Sequence, residues 1–202
     1  RRPNQHKVSI HPCGIEDNEA PWSGIFENPG CIEYFSTKII RPYMVDPNGN
    51  GEYFEANRFC KMAKAIKHFI DNPMGKVLLV LTNRTLKQGS DRLFRRQSLD
   101  ELIDLIKKEK DPGVPVHLIP MNSSDFEKQK EDYHQKAMQG GKVILVTSFP
   151  TAGTGQNLQY FLEEDGVKKE QDIDSIYVED PTWLIQKVDG ISEEKDLILF
   201  IY

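Results

Sequence analysis

The segment Phe149-Pro150-Thr151-Ala152-Gly153-Thr154-Gly155-Gln156-Asn157-Leu158 follows directly on the apolar run Lys142–Ser148 (KVILVTS). Its two glycines let a backbone come close to a ligand and leave amide groups free to face an anion. Thr151, Thr154, Gln156 and Asn157 add hydrogen-bonding groups within a short reach. Phosphate is the chemistry such a loop suits. It is not a GxxxxGK[ST] loop, because Gln156 and Asn157 stand where a lysine for the β- and γ-phosphates would be needed. Nor is it GxGxxG. On loop chemistry alone, a plain glycine-containing turn after a strand is the competing reading.

A second candidate is electrostatic. Arg84, Lys87, Arg92, Arg95 and Arg96 stand against Asp91 alone, a local +4 in a chain of 202 residues with net charge −5. Residues 163–196 hold twelve acids and four lysines. The total therefore excludes a uniformly basic nucleic-acid binder, but not a focal one. A solvated basic helix is the alternative.

Other chemistry finds little support. Cys13, Cys31 and Cys60 are odd in number and widely spaced, with no CxxC, so neither a disulfide framework nor a structural metal site is expected and a reducing cytoplasm fits. His11-Pro12-Cys13 offers two metal ligands without a second pair. His68 and His117 have no nucleophile in supporting context. Trp22 and Trp183 read as packing groups. Apolar runs such as Val77–Leu81 are too short to span a bilayer, so no membrane partner is expected.

The elements that must position these residues follow from periodicity. Phe59, Met62, Ala63, Ile66 and Phe69 recur at helical spacing until Asn72-Pro73-Met74-Gly75. Lys76–Thr82 (KVLLVLT), Val116–Ile119, Lys142–Ser148 and Ser175–Val178 read as strands, the apolar first and third as covered on both faces. Ser98-Leu99-Asp100-Glu101 and Ser124-Asp125-Phe126-Glu127 read as capping boxes opening two helices. Alternating strands and helices imply βαβ units and a parallel sheet, with ligands at the carboxyl ends of its strands. Residues 1–55 read as an irregular extension with strand-like stretches at Cys31–Phe35 and Ile39–Val45, and Asn28-Pro29-Gly30 as a turn. Asp46–Gly51 reads as a hairpin turn or a loose loop. The acidic Phe161–Asp172 reads as a solvated insertion, and Glu193–Tyr202 as a helix or a strand. The absent initiator Met and the apolar end Leu197–Tyr202 suggest a piece of a longer protein.

KVILVTSFPTAGTGQNL resembles motif V of superfamily 2 helicases and translocases, especially the Snf2-like and DEAD/DEAH branches: a strand, Ser or Thr, an AGxGxN/D-type loop, then Leu. About 20 residues on, Ile173–Trp183 resembles the family's strand followed by (D)-P-x-W, and Lys76–Arg84 resembles the motif IV strand. The resemblance covers roughly residues 57–183. It implies an α/β fold of RecA-like (P-loop NTPase) type, with residues 56–202 as the second motor lobe behind the 1–55 extension.

The same resemblance implies roles. Thr82, Asn83 and Arg84 would face the nucleic-acid backbone, joined by the basic residues Arg92, Arg95 and Arg96. Ser148 and Thr151 would reach a phosphate of the tracked strand. Gly153, Thr154, Gly155, Gln156 and Asn157 would line the cleft for ATP and Mg²⁺, held mainly by a first RecA-like lobe. The partner would be nucleic acid, DNA ahead of RNA. Departures are equally plain: the chain has no Walker A lysine, no DExH box and no QxxGRxxR arginine finger, and no Arg follows Trp183. A degenerate RecA-like binding or scaffold domain without ATP turnover is therefore the alternative. A Rossmann-like small-molecule enzyme ranks last, lacking the glycine fingerprint after its first strand.

Overall fold

The computed structural model describes residues 20–44, 52–83, 86, 92–152, 158–164 and 167–179. Expectations for Asp46–Gly51, Arg84, Lys87, Gly153–Asn157, Trp183 and Glu193–Tyr202 fall outside them.

Four parallel strands form the main sheet in the order β2-β3-β1-β6. They are β1 (Val77–Thr82), β2 (Val116–Pro120), β3 (Lys142–Ser148) and β6 (Ser175–Val178). The two central strands read almost alike, VLLVLT and VILVTS, and pair in step from Val77↔Val143 to Thr82↔Ser148. Every side chain of β3 is buried, as expected of a strand covered on both faces.

Helices α2 (Glu52–Asp71) and α3 (Arg96–Glu109) share a core with Leu78, Val80, Ile144 and Val146. Helix α4 (Phe126–Met138) packs on the opposite face, against Val77, Leu79, Val143 and Leu145. Alternate residues of each strand thus feed opposite layers. The periodic set Phe59, Met62, Ala63, Ile66 and Phe69 is buried as its spacing demands.

Connections set the geography. From β1 the chain crosses through α3 to β2, then returns through α4 on the other face to β3. Crossovers of one hand that run in opposite directions must use opposite faces. From β3 the chain continues past β1 to β6. The chain therefore leaves the neighbouring strands β1 and β3 in opposite directions.

Several local expectations are corrected. Residues 29–43 are helical, not extended: α1 (Pro29–Tyr34) runs into wider π turns over Phe35–Ile40 and a 3-10 turn at Arg41–Tyr43. The supposed turn Asn28-Pro29-Gly30 is a helix start. Asn28 Oδ1 accepts from the Gly30 and Cys31 amides at 2.9 and 3.3 Å, with Pro29 at the first helical position. Cys31, Phe35 and Ile39 recur every four residues, and all three are buried in the α2–α3 core.

Helix α3 starts before the expected cap. Ser98 lies inside the first turn, buried, where it accepts from Arg95 Nε at 3.3 Å. Helix α4 starts near its expected box, but Asp125 makes no side-chain cap; Asn122 Oδ1 takes the Asp125 amide instead. Most of Phe161–Asp172 is an antiparallel hairpin rather than a loop, β4 (Tyr160–Glu164) with β5 (Val167–Gln171). Tyr160 is buried against α4, with its ring centroid 6.4 Å from that of Tyr133. Phe161 meets the edge of His134 at 5.2 Å. This apolar anchor on α4 is what turns the insertion into a folded element.

Beside the apolar packing of Cys31, Phe35 and Ile39, the Glu109 carboxylate ties the start of the amino-terminal helices to α2 and α3. Glu109 accepts from the Glu27 and Asn28 amides at 2.6 and 2.9 Å and pairs with Lys67 at 3.0 Å. Burial pushes its pKa upward, but the two amides and the ammonium outweigh this and hold it below the ordinary glutamate value. A depressed folded pKa adds stability that is present above the unfolded value and lost as pH falls through the folded one. Wild type should therefore melt above Glu109→Gln at pH 7, with the gap closing below about pH 4.5, the unfolded value. A gap independent of pH in thermal melts would contradict the clamp.

Candidate functional site at the carboxyl edge

The carboxyl edge of β1 and β3 collects most of the described candidate residues. Thr82 and Ser148 are register partners on the last shared rung. Asn83 follows β1 directly, and the short helix α5 (Phe149–Ala152) follows β3 and carries Thr151. The basic residues Arg95 and Arg96 stand at the start of α3, the helix entered from β1.

The hydroxyls at this edge serve the local fold. Thr82 is 1% exposed and donates to Thr147 O at 3.1 Å. Ser148 and Thr151 are 4% and 8% exposed and lie 3.1 Å apart, oxygen to oxygen. Their pairing fixes the first turn after β3. In this conformation none of the three hydroxyls faces solvent.

Asn83 is engaged by a residue that lies within the Ile173–Trp183 segment but was assigned no role there. Glu179, one position past β6, accepts from the Asn83 amide at 2.7 Å and from Asn83 Nδ2 at 3.1 Å. Its other oxygen pairs with Arg58 Nη2 of α2 at 3.1 Å. The sequence signals for Glu179 are its place in that segment and its position as an acid at the carboxyl end of a strand; Arg58 has none.

The basic run is split. Arg92 is exposed. Arg95 lies over the Tyr43 ring, 5.5 Å from its centroid, and also reaches Ser98. Arg96 pairs with Asp100 at 3.3 Å, both about half exposed. Such an exposed pair is worth about 0.2–1 kcal/mol, so a phosphate could displace the carboxylate at little cost.

No group of three or more His, Cys, Asp or Glu side chains could hold a metal ion among the described residues. Cys31 and Cys60 are buried free thiols, and burial pushes the Cys60 pKa up to about 12, far from a reactive thiolate. His117 lies on β2, and burial pulls its pKa below the ordinary histidine value, with Lys136 adding to the effect. Trp22 is half-buried against the core with Arg41 5.7 Å from its ring centroid, a packing role as expected. No helix among the described residues is long and apolar enough to cross a membrane.

No protein-family model matches the chain, and no curated protein matches it. The parallel sheet flanked by helices is therefore what stands on structure, and it is compatible with a RecA-like fold.

Proposed function

We propose that this chain is the second RecA-like lobe of an ATP-dependent helicase or DNA translocase. One observation carries the reading. The strands that resemble motifs IV and V are neighbouring central strands, and their carboxyl ends lie side by side at one edge of the sheet. In that arrangement the segments after β1 and β3 would present a shared surface to a nucleic-acid backbone. The Ser148–Thr151 pair would orient Gly153, Thr154, Gly155, Gln156 and Asn157 toward ATP and Mg²⁺ held by a first lobe. Asn157 would offer an amide to ribose hydroxyls.

Phosphoryl transfer in this class needs a lysine on the phosphates, Mg²⁺ and a cationic finger. The sequence supplies no Walker A lysine and no QxxGRxxR. The purified 202-residue protein is therefore expected to show no ATP turnover above buffer, with or without DNA, in a phosphate-release assay. Measurable turnover would contradict this division of labour.

The non-hydrolysing scaffold reading has one observation in its favour, the engagement of Arg95 and Arg96 within the fold. The two readings part on salt-dependent nucleic-acid binding, which the motor-lobe reading requires.

A further inference from the structure

Asn83 stands one residue past β1 and Glu179 one residue past β6, and these strands are neighbours. The Glu179 amide donates to Leu81 O at 2.9 Å, extending the ladder by one bond. Beyond that bond the Glu179 carboxylate joins the two segments. One oxygen takes both the backbone and the side-chain N–H of Asn83, and the other takes Arg58. The Arg58 and Glu179 side chains are only 14% and 18% exposed.

A pair this enclosed is a poor device for stability alone, because desolvating both charges offsets much of their attraction. An apolar pair would hold α2 to the sheet as well. The carboxylate adds direction: it fixes the orientation of a backbone N–H and an amide group at the first position after the strand. We propose that Glu179 is a positioning residue, acting through Asn83 to fix the polar groups that the end of β1 presents to nucleic acid at the carboxyl edge. The inference rests on the nucleic-acid reading above.

The sign of one effect separates positioning from simple electrostatics. Glu179 is an anion beside a surface assigned to phosphate, so neutralising it would by charge alone strengthen binding. Positioning requires the opposite. Glu179→Gln is expected to weaken binding of fluorescein-labelled oligo(dT) by about tenfold, within the range of coupling between contacting residues. In an Asn83→Ala background the same substitution should change nothing further, because its route is already removed. Equal or tighter binding by a folded Glu179→Gln protein overturns the proposal, and so do additive effects in the double variant. Should Glu179→Gln fail to fold, Glu179→Asp keeps the charge but shortens the reach, and unchanged affinity in that variant overturns the proposal equally. If the unsubstituted protein does not bind the probe, the nucleic-acid reading itself falls and this role falls with it. Binding by wild type that is indifferent to both variants removes the role of Glu179 alone.

Discussion

Lys142→Met is expected to lower the thermal midpoint by about 6–12 °C, corresponding to about 3 kcal/mol in a chain of this size. Lys142 opens β3 and is 4% exposed. Its ammonium donates to Phe69 O at 3.1 Å, to Gly75 O at 2.6 Å and to Asn72 O, and lies 4.7 Å from the Phe69 ring centroid. These carbonyls belong to the last turn of α2 and the stop behind it, where backbone acceptors have no intrahelical partner. Methionine keeps the length and apolar packing of the stem but removes every donor. The acceptors would remain buried and unsatisfied, the costly direction of hydrogen-bond loss. Lys142→Arg should not restore the midpoint, because a planar fork does not match three converging carbonyls. A midpoint within about 2 °C of wild type would show that the ammonium is not capping the helix.

Replacing Arg84, Arg92, Arg95 and Arg96 together with alanine is expected to weaken oligonucleotide binding by about 100-fold at low salt. It should also flatten the salt dependence by about three units of slope, at about 0.7 per single-strand phosphate. The described members begin from different positions. Arg92 is exposed, Arg96 must release Asp100, and Arg95 must leave the Tyr43 ring. Arg96→Ala alone should therefore lower affinity only modestly, since Arg96 must give up its pair with Asp100 to reach a phosphate. Unchanged slope in the fourfold variant, with its thermal midpoint retained, would make the run a solvated face and favour the scaffold reading.

Legibility in the sequence followed the range of the interactions concerned. Periodicity and β-branched runs placed β1, β2, β3, β6 and the apolar face of α2, because burial on one or both faces is written into residue type at spacings of two and 3.6. The helical stretch at 29–43 was misread, though Cys31, Phe35 and Ile39 carry a four-residue spacing. Asn-Pro-Gly is ambiguous until it is known whether Asn28 caps a following helix, and Glu109, which secures that cap, is distant in sequence. The same ambiguity moved the start of α3, since Ser98 could cap or be buried. Lys76 and Lys142 both precede Val at strand starts, yet only Lys142 is buried on carbonyls; Lys76 offers its backbone amide to Asp174 instead. Nothing local tells them apart. At the candidate site, the sequence placed Thr82, Asn83, Ser148 and Thr151 at strand ends correctly. It could not show that the three hydroxyls turn inward, or that Glu179 would claim Asn83, because that contact spans 96 positions.

The central claim is that the carboxyl edge between β1 and β3 engages a nucleic-acid backbone through a focal basic patch on an acidic protein. A salt titration of labelled oligo(dT) binding tests it most directly. The expected result is a linear fall of log affinity with log salt, with a slope of about −2 to −3 for three to four phosphates, lost in the four-arginine variant. Absence of binding at low salt, or a slope that the variant leaves unchanged, would contradict the account.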